Sequence, residues 1–515
     1  MSTLPKGWEN ATLEDISKVV RGITFPASAK EFEHAEHNVC CLRTSNIQRE
    51  VEWGDIYFVP KTYVKRPEQL VQSGDVLMSM ANSYELVGKV AVAKSIPYPT
   101  AFGAFLSAIR PTSIVDGKYL FHLLRTYQVQ SELRKGSSQT TNIANISVGT
   151  LSSIEIPLAP LAEQKRIADK LDSVLARVDA CRERLARVQP LLKRFRQSVL
   201  AAATSGRLTE DWRAERAPDY KSGAQVSVGD LVDQAANGQR ASTPSATSVT
   251  GIEPASVYSD FRFSSDEVDL FDSPRGWAST KIGDVTSDLR YGTSKKCDYQ
   301  PEGTAVLRIP NIGDGRAIDL NDLKYANFDA KELAKLSLHC GDILVIRSNG
   351  SVDLVGKCAV VRNESEGLLF AGYLMRLRVS TDRANPDYVA LSIGSPQTRK
   401  VIELTAKSTS GVNNINSEEL RNLPLFLPPF EEQHEIVHRV ETLFAFADRL
   451  EARLAAVQSA ADKLTPALLA KAFRGELVPQ DPNDEPAAEL LKRLAAQRAA
   501  APKPKRGRKA ASAGD

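Results

Sequence analysis

The amino-acid sequence repeats itself at a nearly constant distance, and this repeat restricts the chain to folds built from two similar halves. The segment 5–8 (Pro-Lys-Gly-Trp) returns at 274–277 as Pro-Arg-Gly-Trp, 269 positions later. Between Trp8 and Asn145 the distance between matching motifs varies by a few residues, as loops that accept insertions would produce. From Asn145 to Gly206 the distance is again 269. Each half therefore consists of a variable part followed by a part of fixed length.

The variable parts contain short Val, Ile, Tyr and Phe segments interrupted by Gly, Asn and Pro, which is typical of β-strands joined by turns. We therefore predict an α+β fold, in which two mainly β domains are separated by two long antiparallel coiled-coil helices as a pseudo-twofold tandem repeat. The predicted boundaries are 1–156 for the first variable domain, 157–212 for the first long helix, 213–273 for an extension and flexible linker, 274–426 for the second variable domain, 427–482 for the second long helix, and 483–515 for a short helix and basic tail.

The parts of fixed length carry apolar residues at alternating spacings of four and three, the pattern of a coiled-coil seam. Positions shifted by 269 are apolar in both copies, and we expect the two helices to pair with each other. The alternative is that each helix lines the core of its own domain. Pro190 and Pro466 lie inside the pattern, and each predicts a bend or break in its helix. The predicted pairing residues are Ile167, Leu171, Val174, Leu185, Val188, Ile436, Val440, Leu443, Leu454 and Val457.

Charge differs between the two predicted helices. Residues 160–205 carry ten Lys and Arg against five acidic residues, whereas residues 429–475 carry six against seven. The opposite balances favour pairing of the helices with each other, although screened surface charges contribute little each. The alternative is that the basic excess of the first helix faces DNA or a partner protein.

Composition limits the class of protein more than it identifies a function. Of the 515 residues, 42% are hydrophobic and 25% are charged, which are ordinary values for globular domains. No apolar run approaches the roughly 18 residues of a membrane span, and the N-terminus lacks the apolar segment of a secretory signal. The six scattered cysteines indicate free thiols rather than a disulfide framework. We therefore expect a cytoplasmic protein that does not enter a membrane.

Residues that could indicate catalysis or a metal site do not form complete motifs. Leu427 opens a Leu-Pro-Pro-Phe segment, but amino-methyltransferases need a polar residue at that position to hold the target amine. Gly88-Lys89 is not followed by Ser or Thr, as a phosphate-binding loop requires. The first copy has four residues with spacing that zinc could use: His34, His37, Cys40 and Cys41. The second copy has no His or Cys at 299–306, and we predict no catalytic residue and no metal in this chain.

Three polar loops occupy equivalent places in the two copies and supply the candidate binding residues. The first two loops, at 43–46 and 80–84 and their counterparts at 308–311 and 347–351, follow predicted strands, where they could present Arg to guanine or Asn to adenine in the major groove of DNA. Arg and Lys in such loops more often contact phosphates, and Asn, Ser and Gly are also ordinary turn formers. The candidates of the first copy are Arg43, Thr44, Ser45, Asn46, Asn82, Ser83, Tyr84, Ser137, Ser138 and Gln139. Those of the second copy are Arg308, Asn311, Arg347, Ser348, Asn349, Ser351, Ser408 and Thr409.

The repeated motifs, in their order, resemble those of the specificity subunit of type I restriction-modification enzymes. They are Pro-x-Gly-Trp, then Gly-Asp-Val/Ile-Leu at 74–77 and 341–344, Val-Gly-Lys at 87–89 and 355–357, and Glu-Gln at the start of each long helix. The resemblance covers nearly the whole chain. It implies two target-recognition domains, each reading one half of a bipartite asymmetric site in double-stranded DNA, held apart by the paired helices.

The resemblance also implies partners. Two methyltransferase (modification) subunits would dock on this chain, and restriction/translocase subunits would join them. S-adenosylmethionine, ATP and Mg are then expected in the partner subunits, with no cofactor bound by this chain. Two other functions stay open from the residues alone: a self-sufficient DNA-modifying enzyme with a degenerate site, and a coiled-coil scaffold protein that does not bind DNA.

Overall fold

The computed structural model describes residues 4–139, 143–216, 274, 276–313, 316–409 and 411–500, and it divides into two units. Unit 1 comprises Met1–Ala186 and Ala455–Asp515, and unit 2 comprises Arg187–Leu454. Each unit contains one variable domain, the start of the long helix that follows it, and the end of the other long helix. The predicted flexible linker beyond residue 216 and the basic tail from residue 501 lie outside the described residues.

The strands of the two variable domains match one to one along the chain. Those of the first domain are β1 (Glu9–Thr12), β2 (Ser17–Arg21), β3 (Asn38–Leu42), β4 (Tyr57–Pro60), β5 (Val76–Ser79), β6 (Ala81–Asn82), β7 (Val90–Val92), β8 (Thr100–Phe102), β9 (Leu106–Pro111), β10 (Ser138–Gln139), β11 (Ala144–Asn145) and β12 (Glu155–Leu158). Those of the second are β13 (Ala278–Lys281), β14 (Thr286–Tyr291), β15 (Thr304–Leu307), β16 (Lys324–Ala326), β17 (Ile343–Ile346), β18 (Ser348–Asn349), β19 (Cys358–Val360), β20 (Leu369–Phe370), β21 (Leu374–Val379), β22 (Lys407–Thr409), β23 (Val412–Asn414) and β24 (Pro424–Leu427).

The helices include two long ones, which follow the variable domains. Within the described residues, the α-helices are α1 (Leu13–Ile16), α2 (Gly117–Leu124), α3 (Tyr127–Lys135), α4 (Val148–Ser152), α5 (Leu161–Thr204), α6 (Glu210–Glu215), α7 (Ala330–Leu336), α8 (Pro386–Ile393), α9 (Pro396–Thr405), α10 (Ser417–Arg421), α11 (Phe430–Ala472) and α12 (Ala487–Ala500). Both α5 and α11 are shorter than the predicted 157–212 and 427–482, because those ranges also took in β-strand residues and the segments beyond the helix ends.

Both variable domains have the same sheet topology. The first contains a four-stranded sheet of order β2-β9-β5-β7, three-stranded sheets of order β4-β3-β8 and β10-β11-β6, and the pair β1-β12. The second repeats this pattern as β14-β21-β17-β19, β16-β15-β20, β18-β23-β22 and β13-β24. Even the parallel pairing of β3 with β8 recurs, between β15 and β20. The predicted tandem repeat and the α+β class are therefore confirmed.

Strand β5 shows why the central strands consist of consecutive apolar residues. Val76 and Met78 belong to one hydrophobic core, which also contains residues of α2 and α5. Leu77 belongs to a second core, which contains residues of β3. Both faces of the four-stranded sheet are therefore covered, and the strand has no solvent face that would require polar residues.

The Gly-Asp motif places a buried carboxylate immediately before this strand in each domain. Asp75 pairs with Arg110 of β9, at 2.8 Å from Oδ1 to Nε. Asp342 makes the matching pair with Arg378 of β21 at 2.7 Å. Because these carboxylates are nearly inaccessible and already bound to arginine, they serve strand pairing rather than catalysis.

The long helices pair in antiparallel orientation, as predicted. In unit 1, Leu171 and Ala472 share a hydrophobic core, and Arg182 donates to the Ala461 carbonyl at 2.7 Å. As the chain advances along α5 its partners therefore move backward along α11. In unit 2, Arg196 of α5 reaches acidic residues of α11, so the basic excess of the first helix is used in part for helix pairing.

The predicted seam is wrong at Val457, which is 47% exposed. Gln458 and Thr465 occupy the inward positions there, and Thr465 accepts a hydrogen bond from Arg182 at 3.3 Å. A straight α-helix has 3.6 residues per turn and drifts away from a strict 3.5-residue repeat, so the inward face moves by one position. The other predicted pairing residues are buried or half-buried: Ile167, Leu171, Val174, Leu185, Val188, Ile436, Val440, Leu443 and Leu454.

Neither proline breaks its helix, so of the predicted bend or break the break is absent. Helix α5 continues past Pro190 and α11 continues past Pro466. Both prolines are exposed, so the carbonyl four residues earlier, which loses its N–H partner, lies on the face that water can reach.

A tryptophan and a glutamate fix each long helix to the domain that precedes it. Trp8 donates its indole N–H to Glu163 at 3.0 Å, and Trp277 donates to Glu432 at the same distance. All four side chains are buried. The first and last motifs of each repeat therefore meet across 155 residues of chain.

The glutamine of the Glu-Gln motif completes this attachment. The Gln164 side-chain oxygen accepts from the backbone N–H of Asp116, the residue before α2, at 2.9 Å. Gln433 makes the matching bond with Asn385, the residue before α8, at 2.7 Å. Both residues of the Glu-Gln motif therefore bind the start of the long helix to its own variable domain.

The far end of each long helix packs on the other copy's domain. A Cβ added at Gly475, after α11, would lie 2.4 Å from the Pro5 ring, and one added at Gly206, after α5, would lie 2.1 Å from the Pro274 ring. Both glycines also have positive φ angles, near 75°, which favour glycine. The Pro-x-Gly-Trp motif thus receives both its own helix and the end of the other.

Candidate nucleic-acid interface

In unit 1, a small three-stranded sheet brings together two of the three candidate loops. Asn82 of β6 pairs with Ala144 of β11, and Asn145 of β11 pairs with Ser138 of β10. Tyr84, which follows β6, and Ser138 are both exposed. The other candidates of these loops are half-buried or exposed: Ser83, Ser137 and Gln139.

Unit 2 contains the same small sheet. Ser348 and Asn349 of β18 pair with one edge of β23. Ser408 and Thr409 of β22 pair with its other edge. Ser351 is exposed, and its backbone N–H donates to the Asn349 side chain at 2.9 Å. In unit 1 the loop at Asn82 therefore lies beside the loop at Ser138, and in unit 2 the loop at Asn349 lies beside the loop at Ser408.

A four-residue turn connects the small sheet to the remaining candidate loop, which contains Arg43 in unit 1 and Arg308 in unit 2. In unit 1 the turn is 103–106, where Gly103 donates its N–H to the carbonyl of Leu42, the residue before Arg43, at 2.9 Å. The Phe105 carbonyl accepts from the N–H of Met80, just before β6, at 2.8 Å. The turn at 371–374 makes both bonds in unit 2, at 2.9 and 3.0 Å: Ala371 donates to Leu307, and Arg347 donates to Tyr373.

Asn46 and Asn311 hold their own loops rather than presenting an amide to a base, which corrects the prediction for both. Asn46 is buried, its oxygen accepts from the backbone N–H of Arg43, and its nitrogen donates to the carbonyls of Glu52 and Asp55 at 3.0 Å each. Asn311 makes matching bonds with Arg308, Asp319 and Asp322. The hydrogen-bonding groups that would read adenine are occupied inside the loop.

Replacing Asn46 with alanine should therefore lower the free energy of unfolding by about 2–3 kcal/mol, because three backbone groups lose their partner. Urea unfolding measures the change. Ser45→Ala, at an exposed position of the same loop, is the control and should stay within about 0.5 kcal/mol of the unmodified chain. Unchanged stability of Asn46→Ala together with lost DNA binding would restore Asn46 as a DNA-reading residue.

The two arginines of these loops are engaged with carboxylates. Arg43 pairs with Asp55, and Arg308 pairs with Asp322 at 2.8 Å. Both arginines are half-buried, so contact with DNA requires the guanidinium to exchange its carboxylate for a phosphate or a base. That contact stays a prediction for both arginines, as it does for the half-buried Thr44 and the exposed Ser45.

Arg347 lies against an aromatic ring at the edge of the small sheet of unit 2. Its guanidinium carbon is 4.7 Å from the centroid of the Tyr291 ring, and its Nη1 donates to the Gly372 carbonyl at 3.4 Å. The matching residue of unit 1 is the buried Met80. The same backbone position therefore carries a half-buried arginine in unit 2 and a core methionine in unit 1.

The possible zinc ligands do not form a metal site. Cys40 and Cys41 lie in β3, where burial raises the pKa of the Cys40 thiol to about 11 and that of Cys41 to about 12. The His34 ring packs near the rings of Phe58 and Tyr98. Among the described residues there is no group of three or more His, Cys, Asp or Glu side chains placed to hold a metal ion.

In the part of the chain that the structure describes, no helix is both long enough and apolar enough to cross a membrane.

Two exposed residues of the turns, Phe105 and Tyr373, were not among the predicted binding residues. Each follows a strand rich in apolar residues, so its sequence context is that of a core aromatic residue. The sequence does contain a signal for this position: when the two copies are aligned, an aromatic residue follows Ala104 in the first copy and Gly372 in the second.

Comparison with known proteins identifies what this architecture is similar to. A family model described as the type I restriction modification DNA specificity domain matches residues 5–189 and, a second time, residues 274–458. The chain is 31% identical to the type I restriction enzyme EcoKI specificity subunit of Escherichia coli K12, over 98% of each chain.

Two solved structures share the fold. One is a chain from a study of complex assembly and conformational transition in a type I restriction-modification system, with a TM-score of 0.64, 18% identity, and coverage of 92% of this chain and 100% of that one. The other is the crystal structure of an HsdS subunit from Thermoanaerobacter tengcongensis, with a TM-score of 0.54, 19% identity, and coverage of 92% and 98%.

Proposed function

This chain belongs to the DNA specificity subunits of type I restriction-modification enzymes, and from this premise we propose that its two variable domains read the two halves of a bipartite, asymmetric site in double-stranded DNA. One observation carries the proposal. The same backbone framework, consisting of the turn, the small sheet and the arginine loop, occurs in both units with different side chains on it.

Differences at matched positions supply the asymmetry. Unit 2 has the half-buried Arg347 where unit 1 has the core residue Met80, so unit 2 alone of the two offers a guanidinium there, and unit 1 has Thr44 where unit 2 has Ile309. Sequence preference depends on hydrogen bonds and apolar contacts to base edges. Two frameworks with different side chains therefore select different half-sites, while their shared geometry lets both approach a duplex in the same way.

The catalytic steps are proposed to reside in partner subunits. Two methyltransferase subunits would bind this chain, one for each repeat, and restriction/translocase subunits would join the complex. S-adenosylmethionine, ATP and Mg would be bound by those partners, and the complex would act on DNA in the cytoplasm. The similarity of this chain to the EcoKI specificity subunit supports this division between recognition and catalysis. The structural role of the buried carboxylates Asp75 and Asp342 supports it as well.

The purified chain should neither methylate nor cleave DNA, and methylation should appear when the methyltransferase subunit is added. Incorporation of labelled methyl groups into plasmid DNA measures the first result, and sequencing of the modified bases gives the bipartite site. The native mass of the complex should correspond to two methyltransferase copies per chain. Methyl transfer by the chain alone would favour a self-sufficient enzyme, and a mass with one copy would contradict the docking of one partner for each repeat.

A further inference from the structure

The turn that links the candidate loops carries an exposed aromatic side chain in both units. Phe105 is 67% exposed and Tyr373 is 63% exposed. A single exposed aromatic residue needs no explanation. Here, however, the exposure recurs at the same position of the same turn in two copies whose turn sequences differ, Gly-Ala-Phe-Leu and Ala-Gly-Tyr-Leu.

The backbone of each turn is held closely. In unit 1, Leu106 donates its N–H to the Gly103 carbonyl at 2.8 Å. A Cβ placed on Gly22, at the end of β2, would lie 2.2 Å from that same carbonyl oxygen. In unit 2, a Cβ on Gly292 would lie 2.4 Å from the Ala371 carbonyl oxygen, so the turn is packed equally closely. Each turn therefore presents its aromatic ring from a fixed backbone, which lowers the entropy lost when the ring binds a partner.

The position of the ring relative to the candidate loops decides what it can touch. The Phe105 carbonyl binds the residue just before β6, and the N–H of Gly103 binds the residue before Arg43. Tyr373 has the same two connections in unit 2, to the residue before β18 and, through Ala371, to the residue before Arg308. The turn that carries the exposed ring is therefore hydrogen-bonded to both candidate loops in each unit.

We propose that Phe105 and Tyr373 contact bases directly, and that each determines part of the sequence preference of its half-site. This inference rests on the proposed function and adds residues to the same interface. A phenyl ring makes apolar contact with the methyl group of thymine, whereas a phenol adds a hydroxyl group that can donate or accept a hydrogen bond to a base edge. The difference between the two rings therefore contributes to the asymmetry of the site.

The test uses the full chain in complex with its methyltransferase subunits. Phe105→Ala should weaken binding to the duplex carrying the modified site by about tenfold, the loss expected for one specific base contact. It should also relax base preference within one half-site and leave the other half-site unchanged. Tyr373→Ala should do the same at the opposite half-site, and Phe105→Tyr should keep affinity while altering preference at one base pair. Sequencing of methylated bases reads each half-site separately.

Tyr127→Ala provides the matched control, because Tyr127 is 79% exposed on α3 of unit 1 and should leave affinity and both half-sites unchanged. The salt dependence of binding should also be the same in Phe105→Ala and in the unmodified complex, because a ring neutralises no phosphate. An altered salt slope would show that the residue acts through the DNA backbone, and would overturn the inference.

The two possible failures are distinguishable. If both alanine variants bind with unmodified affinity and methylate the same bipartite sequence, Phe105 and Tyr373 are not base-contacting residues, while the proposed function stands. If the unmodified complex methylates no bipartite sequence, the proposed function itself fails.

Discussion

Replacing Glu432 with glutamine should destabilise unit 2 by about 3 kcal/mol, the lower end of the cost of removing one partner of a buried ion pair. Glu432 is fully buried, accepts from Trp277 at 3.0 Å and from Thr209 at 2.7 Å, and pairs with Arg213. Glutamine can still accept hydrogen bonds, but it leaves the largely buried Arg213 charge without its carboxylate. The midpoint of thermal unfolding should fall by roughly 6–12 °C for a unit of this size.

The matching substitution in unit 1, Glu163→Gln, is the control. It should raise the free energy of unfolding of unit 1 rather than lower it. Glu163 is equally buried and accepts from Trp8, but its second oxygen has no hydrogen-bond partner among the described residues. Burial raises the pKa of Glu163 above its ordinary 4.5, more than the Trp8 N–H and the nearby Arg166 lower it. Neutral glutamine avoids the cost of burying this charge. Hydrogen exchange of β1 and β13 separates the two units, and equal destabilisation by both variants would contradict the difference.

Glu163 should also give a pH dependence of stability, which Glu163→Gln removes. Because the pKa of Glu163 is raised in the folded state, the folded chain binds this proton more tightly than the unfolded chain does. The contribution of Glu163 to stability is therefore most favourable below pH 4.5 and decreases as pH rises through the raised pKa. In Glu163→Gln this decrease should be absent, which unfolding of unit 1 across that pH range measures.

Exchanging the first variable domain for that of a relative should change one half-site completely and leave the other unchanged. The reason is that each unit has its own cores, its own small sheet and its own turn. Sequencing of methylated bases in cells that carry the exchanged chain gives both half-sites in one experiment. If both half-sites change together, the two domains do not read DNA independently.

The structure also shows where that exchange should end. The predicted boundary at 156 falls within β12, whose residues Glu155–Leu158 pair with β1. An exchange through residue 159 keeps β1 and β12 from the same donor and leaves Glu163 and Gln164 in place. The donor must then supply a tryptophan at position 8 to bind Glu163. As a control, an exchange that ends at 156 should give the same specificity with lower stability.

Much of the architecture could be predicted because its elements occur twice in the sequence at a nearly constant distance. The constant offset identified two copies and their long helices, and the apolar spacing identified most of the buried helix face. The offset could not show that Trp8 binds Glu163, because the two residues are separated by 155 positions and nothing local connects them. Val457 was misplaced because its apolar side chain fits the heptad pattern, while the direction it faces depends on the slow drift of a straight helix.

The candidate interface was harder to predict for two physical reasons. Strands as short as β6 and β11 have no periodicity, so their pairing into one sheet leaves no trace in the sequence. Asn46 suits both a loop-closing role and adenine recognition, since its amide offers the same donor and acceptor in each case. Burial alone separates these roles, and burial follows from the fold around the residue rather than from its neighbours in the chain.

Each unit is completed by the end of the helix that begins on the other copy, with Gly475 against Pro5 and Gly206 against Pro274. A polypeptide with only one copy would carry both halves of this junction but could not bring them together in a single molecule. Two such molecules would complete each other as a homodimer with identical domains, suited to a palindromic sequence. Gene duplication and fusion would then preserve every junction of the homodimer while freeing its domains to diverge. An ancestor that read palindromes is therefore a direct route to a chain that reads two different half-sites.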